Sequence, residues 1–309
     1  MNKLTHNETR LLIIIVVLAV LGLFTYGASS QKLAKLQSEY SQERQDEEAL
    51  TAFFSTDDNA KAVYVYDATN KKVLYERNAD MQLPLASVTK LATALTVNKV
   101  FGETDTIAIS PKSLAVEGDN GLIDGEVWSR DQLLGFMLVI SSNDAAYAFK
   151  EAYDGNFMET MNAYAKEIGL ENTTFSNPAG LDFDGKAGSV GTARDMSTLI
   201  LHFLDTMPAV AAETIRPQQT FKSAANAGAS GKSHTISNTN DLSVHIDSLL
   251  ASKTGYTRLA GGNLALAYRM PIYGNTIVIV VLGSTKEGRF VDIERYMEGV
   301  ENYFKISKK

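Results

Sequence analysis

Ser87 and Lys90 stand three residues apart in Leu85-Ala-Ser-Val-Thr-Lys-Leu91, and this pair is where the chain could first do chemistry. Pro84 sits just ahead, and an apolar, helix-favouring run follows (Leu91, Ala92, Ala94, Leu95, Val97). That order predicts a helix whose first turn holds both residues. At a separation of three the two side chains share a helical face and can touch. A serine hydroxyl becomes a nucleophile when a base takes its proton, and a neighbouring amine is such a base once its pKa is lowered. The helix N-terminus adds positive potential and free amide donors where an oxyanion would form. Alone the pair is weak, since Ser29 and Lys32 repeat the same spacing as a decoy.

Two further signals follow in a fixed order. Ser141-Ser142-Asn143 sits at a break between helical patterns, and Lys253-Thr254-Gly255 closes a strand-like run ahead of Tyr256-Thr257. A Ser-x-Asn triplet arises by chance about once in a chain of this size. All three signals in this order, each in a fitting secondary-structure setting, coincide far less readily. The same set marks penicillin-binding proteins and class A β-lactamases.

The totals narrow the chemistry further. With 309 residues there is enough chain for one large or two modest domains. A net charge of −7 gives no reason to expect a nucleic-acid partner. The absence of cysteine excludes disulfides, zinc-thiolate sites and thiol catalysis. The four histidines, His6, His202, His234 and His245, form no metal or Ser-His-Asp pattern. A serine hydrolase here needs another base, and no metal or organic cofactor is called for.

The elements that must position these groups are legible in outline. Residues 1–10 read as a cytoplasmic tail. Leu11–Ala28 is apolar and uncharged, the lower end of a membrane span, which predicts an N-terminal transmembrane anchor. Gly27-Ala28-Ser29 leaves a cleaved, secreted form as the lesser alternative. Lys3 and Arg10 before the span, against Lys32 and Lys35 after it, scarcely decide orientation. Residues 29–58 read as a helical or disordered stalk, its apolar positions (Leu33, Leu36, Tyr40, Leu50) too sparse for a coiled coil.

From residue 59 a folded domain follows. Ala62–Tyr66 and Val73–Tyr75 predict a hairpin across Asp67–Lys71. Asp105–Ile109 is a short strand and 118–126 a Gly- and Asp-rich loop. Ser129 and Gln132 form a capping-box pattern for a helix with its apolar body at Leu133–Ile140. Helical patterns return at 144–153, 157–168 and 192–204. The last third turns to strands at 220–222, 234–237, 249–254, 263–268 and 276–282, with a closing amphipathic helix at 289–304. Ile277–Leu282 is apolar on both faces, as a central covered strand should be. A hairpin, an α-rich insertion over about 110–215 and C-terminal strands predict an α+β sandwich whose sheet draws on both ends of the chain.

The sequence resembles the penicillin-binding D-alanyl-D-alanine carboxypeptidases, low-molecular-mass serine peptidases of bacterial cell walls, from about Ala62 onward. The blocks that carry the likeness are Leu85-Ala-Ser-Val-Thr-Lys-Leu91, Ile140-Ser-Ser-Asn-Asp-Ala-Ala146, Phe175-Ser-Asn-Pro-Ala-Gly-Leu-Asp182, Thr192-Ala-Arg-Asp-Met196 and Lys253-Thr-Gly-Tyr-Thr257 with Ala260-Gly261. The resemblance implies a β-lactamase/transpeptidase-like fold, an antiparallel sheet flanked by helices with an all-helical subdomain. It implies that Ser87 attacks the carbonyl of a terminal D-Ala-D-Ala peptide bond in a peptidoglycan stem, becomes acylated and is released by water, with β-lactams as covalent inhibitors. It makes Lys90 the base, its pKa lowered by burial and by Lys253. Ser141 and Asn143 would line the opposite wall, the hydroxyl relaying a proton and the amide holding the substrate backbone. Lys253, Thr254 and Gly255, with Arg194, would bind the terminal carboxylate, and the amides of Ser87 and Tyr256 would form the oxyanion hole. Competing readings give Arg194 a neighbouring acid as partner and Asn143 a helix-capping role.

Tyr256 stands where relatives often have histidine, and Ser142 where carboxypeptidases often have glycine. Many members carry a further β-rich domain and a C-terminal anchor. Neither is expected after the closing helix, and Leu11–Ala28 would take over membrane attachment with the catalytic domain outside. A class A β-lactamase would need a deacylating glutamate; Glu159, Glu167 and Glu171 fall in the stretch between Glu151 and Leu181, but none stands in the context of that loop. A non-catalytic wall-binding or β-lactam-sensing module is the reading from a different class.

Overall fold

In the computed structural model of the protein, residues 29–42, 44, 58–118, 121–224 and 231–307 are described. The chain divides into two units, Thr56–Val300 and Met1–Ser55 with Glu301–Lys309. The expected span Leu11–Ala28 lies outside the described residues, and no helix among those described is long and apolar enough to cross a membrane. Residues 29–42, in the expected stalk, are helical with every side chain exposed.

In the larger unit, Ala62–Asp67 (β1) and Lys72–Arg77 (β2) form the expected hairpin. Its turn closes because Asp67 Oδ1 accepts from the amides of Thr69 (3.0 Å) and Asn70 (3.1 Å). Leu83–Pro84 (β3) leads into a 310 turn, Ala86–Thr89, and then a helix, Lys90–Val100 (α1). Thr106–Ala108 (β4) pairs with Val127–Ser129 (β5), followed by Arg130–Val139 (α2), Asn143–Ala152 (α3) and Phe157–Glu167 (α4). Thr174–Phe175 (β6) and Ser189–Gly191 (β7) join β3 in a small sheet ahead of Ala193–Thr206 (α5) and Pro208–Glu213 (α6). Gln218–Lys222 (β8) and Ser233–Ser237 (β9) form a second hairpin. Leu249–Thr257 (β10), Gly261–Arg269 (β11) and Thr276–Ser284 (β12) precede the closing helix Gly288–Ser307 (α7).

The main sheet has the order β10-β11-β12-β1-β2, antiparallel throughout. Strands from the two ends of the chain meet between β12 and β1, with Ala62 opposite Leu282 and Asp67 opposite Ile277. As its two-faced apolarity predicts, β12 is central and buried. Alternate residues Val278, Val280 and Leu282 join the core that includes Ala193, Met196 and Ile200 of α5. On the α7 side, Tyr296 stacks on Tyr75 of β2 at 5.4 Å and donates to Asp58 at 2.7 Å. Each fully buried Val, Leu or Ile of this kind contributes roughly 1.5–3 kcal/mol.

Two local expectations are corrected. Ser129 is the N-cap of α2, yet its side chain makes no capping bond; Gln132 Oε1 instead accepts from the Lys222 amide of β8 at 3.0 Å. A tertiary partner has displaced the local one. Ser87 and Lys90 do not share one α-helix: Ser87 lies in the 310 turn and Lys90 opens α1. Pro84, read as a helix-entry signal, is instead a strand residue opposite Val190. The β3-β7-β6 sheet is invisible in the sequence because strands of two or three residues carry no periodicity.

Candidate active site

The nucleophile turn is held from both sides. Pro84 C=O accepts from Asn263 Nδ2 of β11 (2.9 Å), and the Leu85 amide donates to Ser189 C=O (3.2 Å). Directly after these anchors Ala86 takes φ 48°, a left-handed conformation that costs a non-glycine residue about 1–3 kcal/mol. The chain then tightens into the 310 turn and brings Ser87 Oγ within 2.8 Å of Lys90 Nζ.

Lys90 is fully buried, which is rare for an ammonium. Its Nζ also reaches Asn143 Oδ1 at 2.7 Å and Ala179 C=O at 3.1 Å. Burial lowers its pKa to about 7, with the Asp144 carboxylate opposing the shift. An amine poised there can accept a proton from the hydroxyl beside it.

The second wall comes from the break between α2 and α3. Ser141 takes φ 66°, and Ser142 rather than Asn143 caps α3 by accepting from the Ala145 amide at 3.1 Å. Asn143 is thus free of the capping role. It bridges Lys90 on one side and, through Nδ2, Glu117 C=O at 2.6 Å on the other. Ser141 Oγ accepts from Lys253 Nζ at 3.0 Å. Lys253 is buried, and its pKa is held well below the lysine range by burial and then by the positive charges of Lys90 and Arg289. Burial, not Lys253, is therefore what lowers Lys90.

Strand β10 supplies the third wall. A Cβ at Gly255 would lie 2.8 Å from Leu85 C=O and 3.1 Å from the Ser87 nitrogen, so only glycine lets the strand come this close to the nucleophile turn. This approach sets the backbone of Gly255-Tyr256 beside the start of the 310 turn, where the first amides lack partners within the turn. Thr254 Oγ1 bonds to Thr239 Oγ1 at 2.6 Å. Tyr256 is half-exposed, with Lys286 Nζ 5.6 Å from its ring centre.

Arg289, read in the sequence only as the start of an amphipathic helix, belongs behind this wall. It is buried, donates from Nη1 to Gly255 C=O at 2.8 Å, and its Nε has no hydrogen-bond partner among the described residues. Asn177 was seen only as part of a family block. Its Oδ1 accepts from the amides of Ala179, Gly180 and Leu181 at 3.2, 2.8 and 3.1 Å, which fixes the carbonyl that meets Lys90.

Gly180 seals this loop against the nucleophile turn, with φ 74°. A Cβ there would stand 2.0 Å from Ala86 C=O and 2.6 Å from Thr89 Oγ1. Gly180→Ala is expected to lower stability by about 2–4 kcal/mol, read by denaturant unfolding, because both backbone strain and a backbone clash oppose it.

Arg194 is corrected. It lies at the start of α5 and is spent elsewhere: Nε donates to Asp80 (2.7 Å), Nη2 to Glu76 (2.9 Å) and Nη1 to Tyr64 Oη (3.2 Å). The guanidinium is clamped by two acids on the far side of β1, and no hydrogen bond links it to Ser87, Lys90 or Lys253. The competing surface-acid reading holds. Of the three glutamates considered for deacylation, Glu167 pairs with Lys99 and is largely exposed. Among the described residues Lys90 is the hydrogen-bond partner of Ser87 Oγ, and no carboxylate shares it.

Comparison with known proteins agrees with this geometry. The model of the family described as D-alanyl-D-alanine carboxypeptidase matches residues 48–286. A D-alanyl-D-alanine endopeptidase of Pseudomonas aeruginosa is 37% identical over 143 residues, 44% of this chain and 45% of that protein. The D-alanyl-D-alanine carboxypeptidase DacF of Bacillus subtilis is 32% identical over 149 residues, covering 45% and 38% of the two chains. The matched stretches thus span less than half the length of these curated relatives. Among solved structures, penicillin-binding protein D2 of Listeria monocytogenes in its ampicillin-bound form superposes with a TM-score of 0.68 at 32% identity, covering 79% of this chain and 98% of that one. The D-alanyl-D-alanine carboxypeptidase of Mycobacterium tuberculosis gives a TM-score of 0.70 at 25% identity, covering 80% and 92%. With its α+β transpeptidase-like fold and its serine-lysine cleft, the chain belongs to the D-alanyl-D-alanine carboxypeptidase family of low-molecular-mass penicillin-binding proteins.

Proposed function

We propose that this protein is a serine D-alanyl-D-alanine carboxypeptidase that removes the terminal D-alanine from peptidoglycan stem peptides. The observation that carries the reading is the contact of Ser87 Oγ with a buried Lys90 amine whose pKa lies near neutrality. Lys90 takes the hydroxyl proton as Ser87 attacks the penultimate D-alanine carbonyl. The amides of Ser87 and Tyr256 receive the oxyanion. The proton that Lys90 took passes on to the leaving amine by way of Ser141, which Lys253 holds, and Asn143 orients the substrate backbone while fixing Lys90. Free D-alanine leaves, and water releases the acyl-enzyme. β-Lactams acylate the same serine.

The terminal carboxylate, in this reading, meets Thr254 and Lys253, with the Arg289 guanidinium close behind the strand. Arg289→Ala is expected to lower kcat/KM for D-alanine release roughly 10–100-fold, the loss of one charged hydrogen-bonding group. Arg194→Ala, which removes contacts to Glu76, Asp80 and Tyr64 and none to the cleft residues, is expected to change it less than about twofold. Steady-state release assays on both variants check the pair.

Leu11–Ala28 would anchor the chain with its N-terminus in the cytoplasm and residues 59–309 on the substrate side, residues 29–58 acting as spacer. Sequence apolarity supports this. The deciding experiment for the activity incubates the full chain with a pentapeptide ending in D-Ala-D-Ala and measures free D-alanine, with a benzylpenicillin mass adduct mapped in parallel. Release of D-alanine together with a long-lived adduct on the Ser87 peptide is the expected result. An adduct without D-alanine release overturns the carboxypeptidase reading, and rapid turnover of the drug would make the chain a β-lactamase.

A further inference from the structure

Between β9 and β10 the segment Asn238-Thr239-Asn240 lies in none of the sequence blocks that mark the chemistry, yet its side chains are held by a dense set of hydrogen bonds. Asn238 Nδ2 donates to the carbonyls of Thr214 (2.9 Å) and Arg216 (3.0 Å), and its Oδ1 accepts from the Asn240 amide at 2.9 Å. Asn240 Nδ2 donates to Ser252 Oγ of β10 at 2.9 Å, and Ser252 Oγ donates in turn to Thr214 C=O at 2.9 Å. Thr214, Asn240 and Ser252 are all buried, where an unmade hydrogen bond costs about 1–3 kcal/mol, so each bond pins the segment. Thr239, half-buried between the two asparagines, is the residue that this network holds in place.

Thr239 closes a ring of contacts beside the cleft. Its amide donates to the carbonyl of Val139, the last residue of α2, at 3.1 Å. Its Oγ1 meets Thr254 Oγ1 at 2.6 Å, and Lys253, one residue back along β10, reaches Ser141 at 3.0 Å, two residues beyond Val139. The end of α2 and strand β10 are thus tied twice, once through Lys253 and once through Thr239. The direction of the second tie follows from a count of protons. A hydroxyl has one proton to give and two lone pairs to receive with. If Thr254 gave its proton to Thr239, none would remain for a substrate carboxylate, which only accepts. With Thr239 as the donor, the Thr254 proton is left for the ligand, and the bond that Thr254 receives polarises its O–H into a stronger donor.

We propose that Thr239 is a positioning residue for the reaction: its hydroxyl donates to Thr254 Oγ1 and so commits the single proton of Thr254 to the terminal carboxylate of the ligand. The proposal rests on the carboxypeptidase reading, which seats that carboxylate at Thr254, and adds the residue that makes Thr254 a donor. Valine at 239 keeps the branched shape and the amide bond to Val139 and removes only the hydroxyl. Serine keeps the hydroxyl. The pair separates the role of the hydroxyl from that of the backbone tie.

The test measures acylation of the full chain by benzylpenicillin, whose carboxylate is free, and by its methyl ester, whose carboxylate is masked, with D-alanine release from a pentapeptide followed alongside. The acid-to-ester ratio of acylation rates reports recognition of the carboxylate, and a general loss of structure would slow both probes alike. Thr239→Val should lower this ratio about tenfold and lower kcat/KM for D-alanine release by a similar factor, what one hydrogen bond to a charged group supplies. Thr239→Ser should restore both to within about threefold of wild type. An acid-to-ester ratio that Thr239→Val leaves unchanged, whether the two rates stay at wild-type values or fall together, overturns the positioning role and leaves the carboxypeptidase standing. A wild-type chain that takes up benzylpenicillin but releases no D-alanine overturns the carboxypeptidase reading, and the ratio in Thr239→Val still decides the role of Thr239.

Discussion

Alanine at position 87 is expected to lower D-alanine release by at least about a thousandfold and to abolish the penicillin adduct. The loss is chemical, not structural. Among the described residues Ser87 Oγ makes one hydrogen bond, to Lys90 Nζ, and Lys90 keeps Asn143 Oδ1 and Ala179 C=O when it is gone. Removing one hydroxyl from a partly exposed turn should leave stability within about 1 kcal/mol of wild type. Intact-mass spectrometry after incubation with benzylpenicillin, read beside a thermal melt, separates the two effects. An adduct that persists in a folded Ser87→Ala chain would place the nucleophile elsewhere.

Lys90→Met should be nearly as damaging, reducing acylation about 10²–10⁴-fold, the range of a general base. Methionine keeps the volume of the buried side chain, which limits the structural cost. The pH dependence gives the sharper test. Lysine is a base only as the neutral amine, and burial places its pKa at about 7. Acylation by the wild type should therefore rise with pH through about 7 and level off above it. One unit below that pKa only about a tenth of Lys90 is neutral, so the rate should be about tenfold under the plateau. Stopped-time measurements of adduct formation between pH 5 and 9 check this. A wild-type profile that is flat across this range would remove Lys90 from the role of base.

Much of the architecture was legible because it rests on periodicity. The two-faced apolar run Ile277–Leu282 could be stable only as a covered central strand, and β12 is that strand. Asp67–Lys71 could hardly be other than a turn between β-rich runs. The order Ser87–Lys90, Ser141–Asn143, Lys253–Gly255 marked the chemistry because those residue types are needed together, and the fold bonds Lys90 to Ser87 and Asn143, bonds Lys253 to Ser141 and packs Gly255 against the turn of Ser87. Non-local geometry was not legible. The left-handed Ala86 and Ser141 are not glycines, and only anchors from β7 and β11 reveal why the turn at Ala86 is tolerated.

By itself the sequence marked the Ser87–Lys90 pair, a sheet drawn from both ends of the chain and the helical insertion, since each follows from local pattern and side-chain chemistry; the antiparallel order and the roles of the pair came with the family resemblance. Tertiary structure alone decided where each arginine lies. Arg194 stands in a family block, yet Glu76 and Asp80, more than a hundred residues earlier, claim it at the surface. Arg289 had no motif to announce it, and the packing of α7 behind β10 buries it against Gly255. The partner of a charged side chain is set by what the fold brings near it, and spacing along the chain does not encode that.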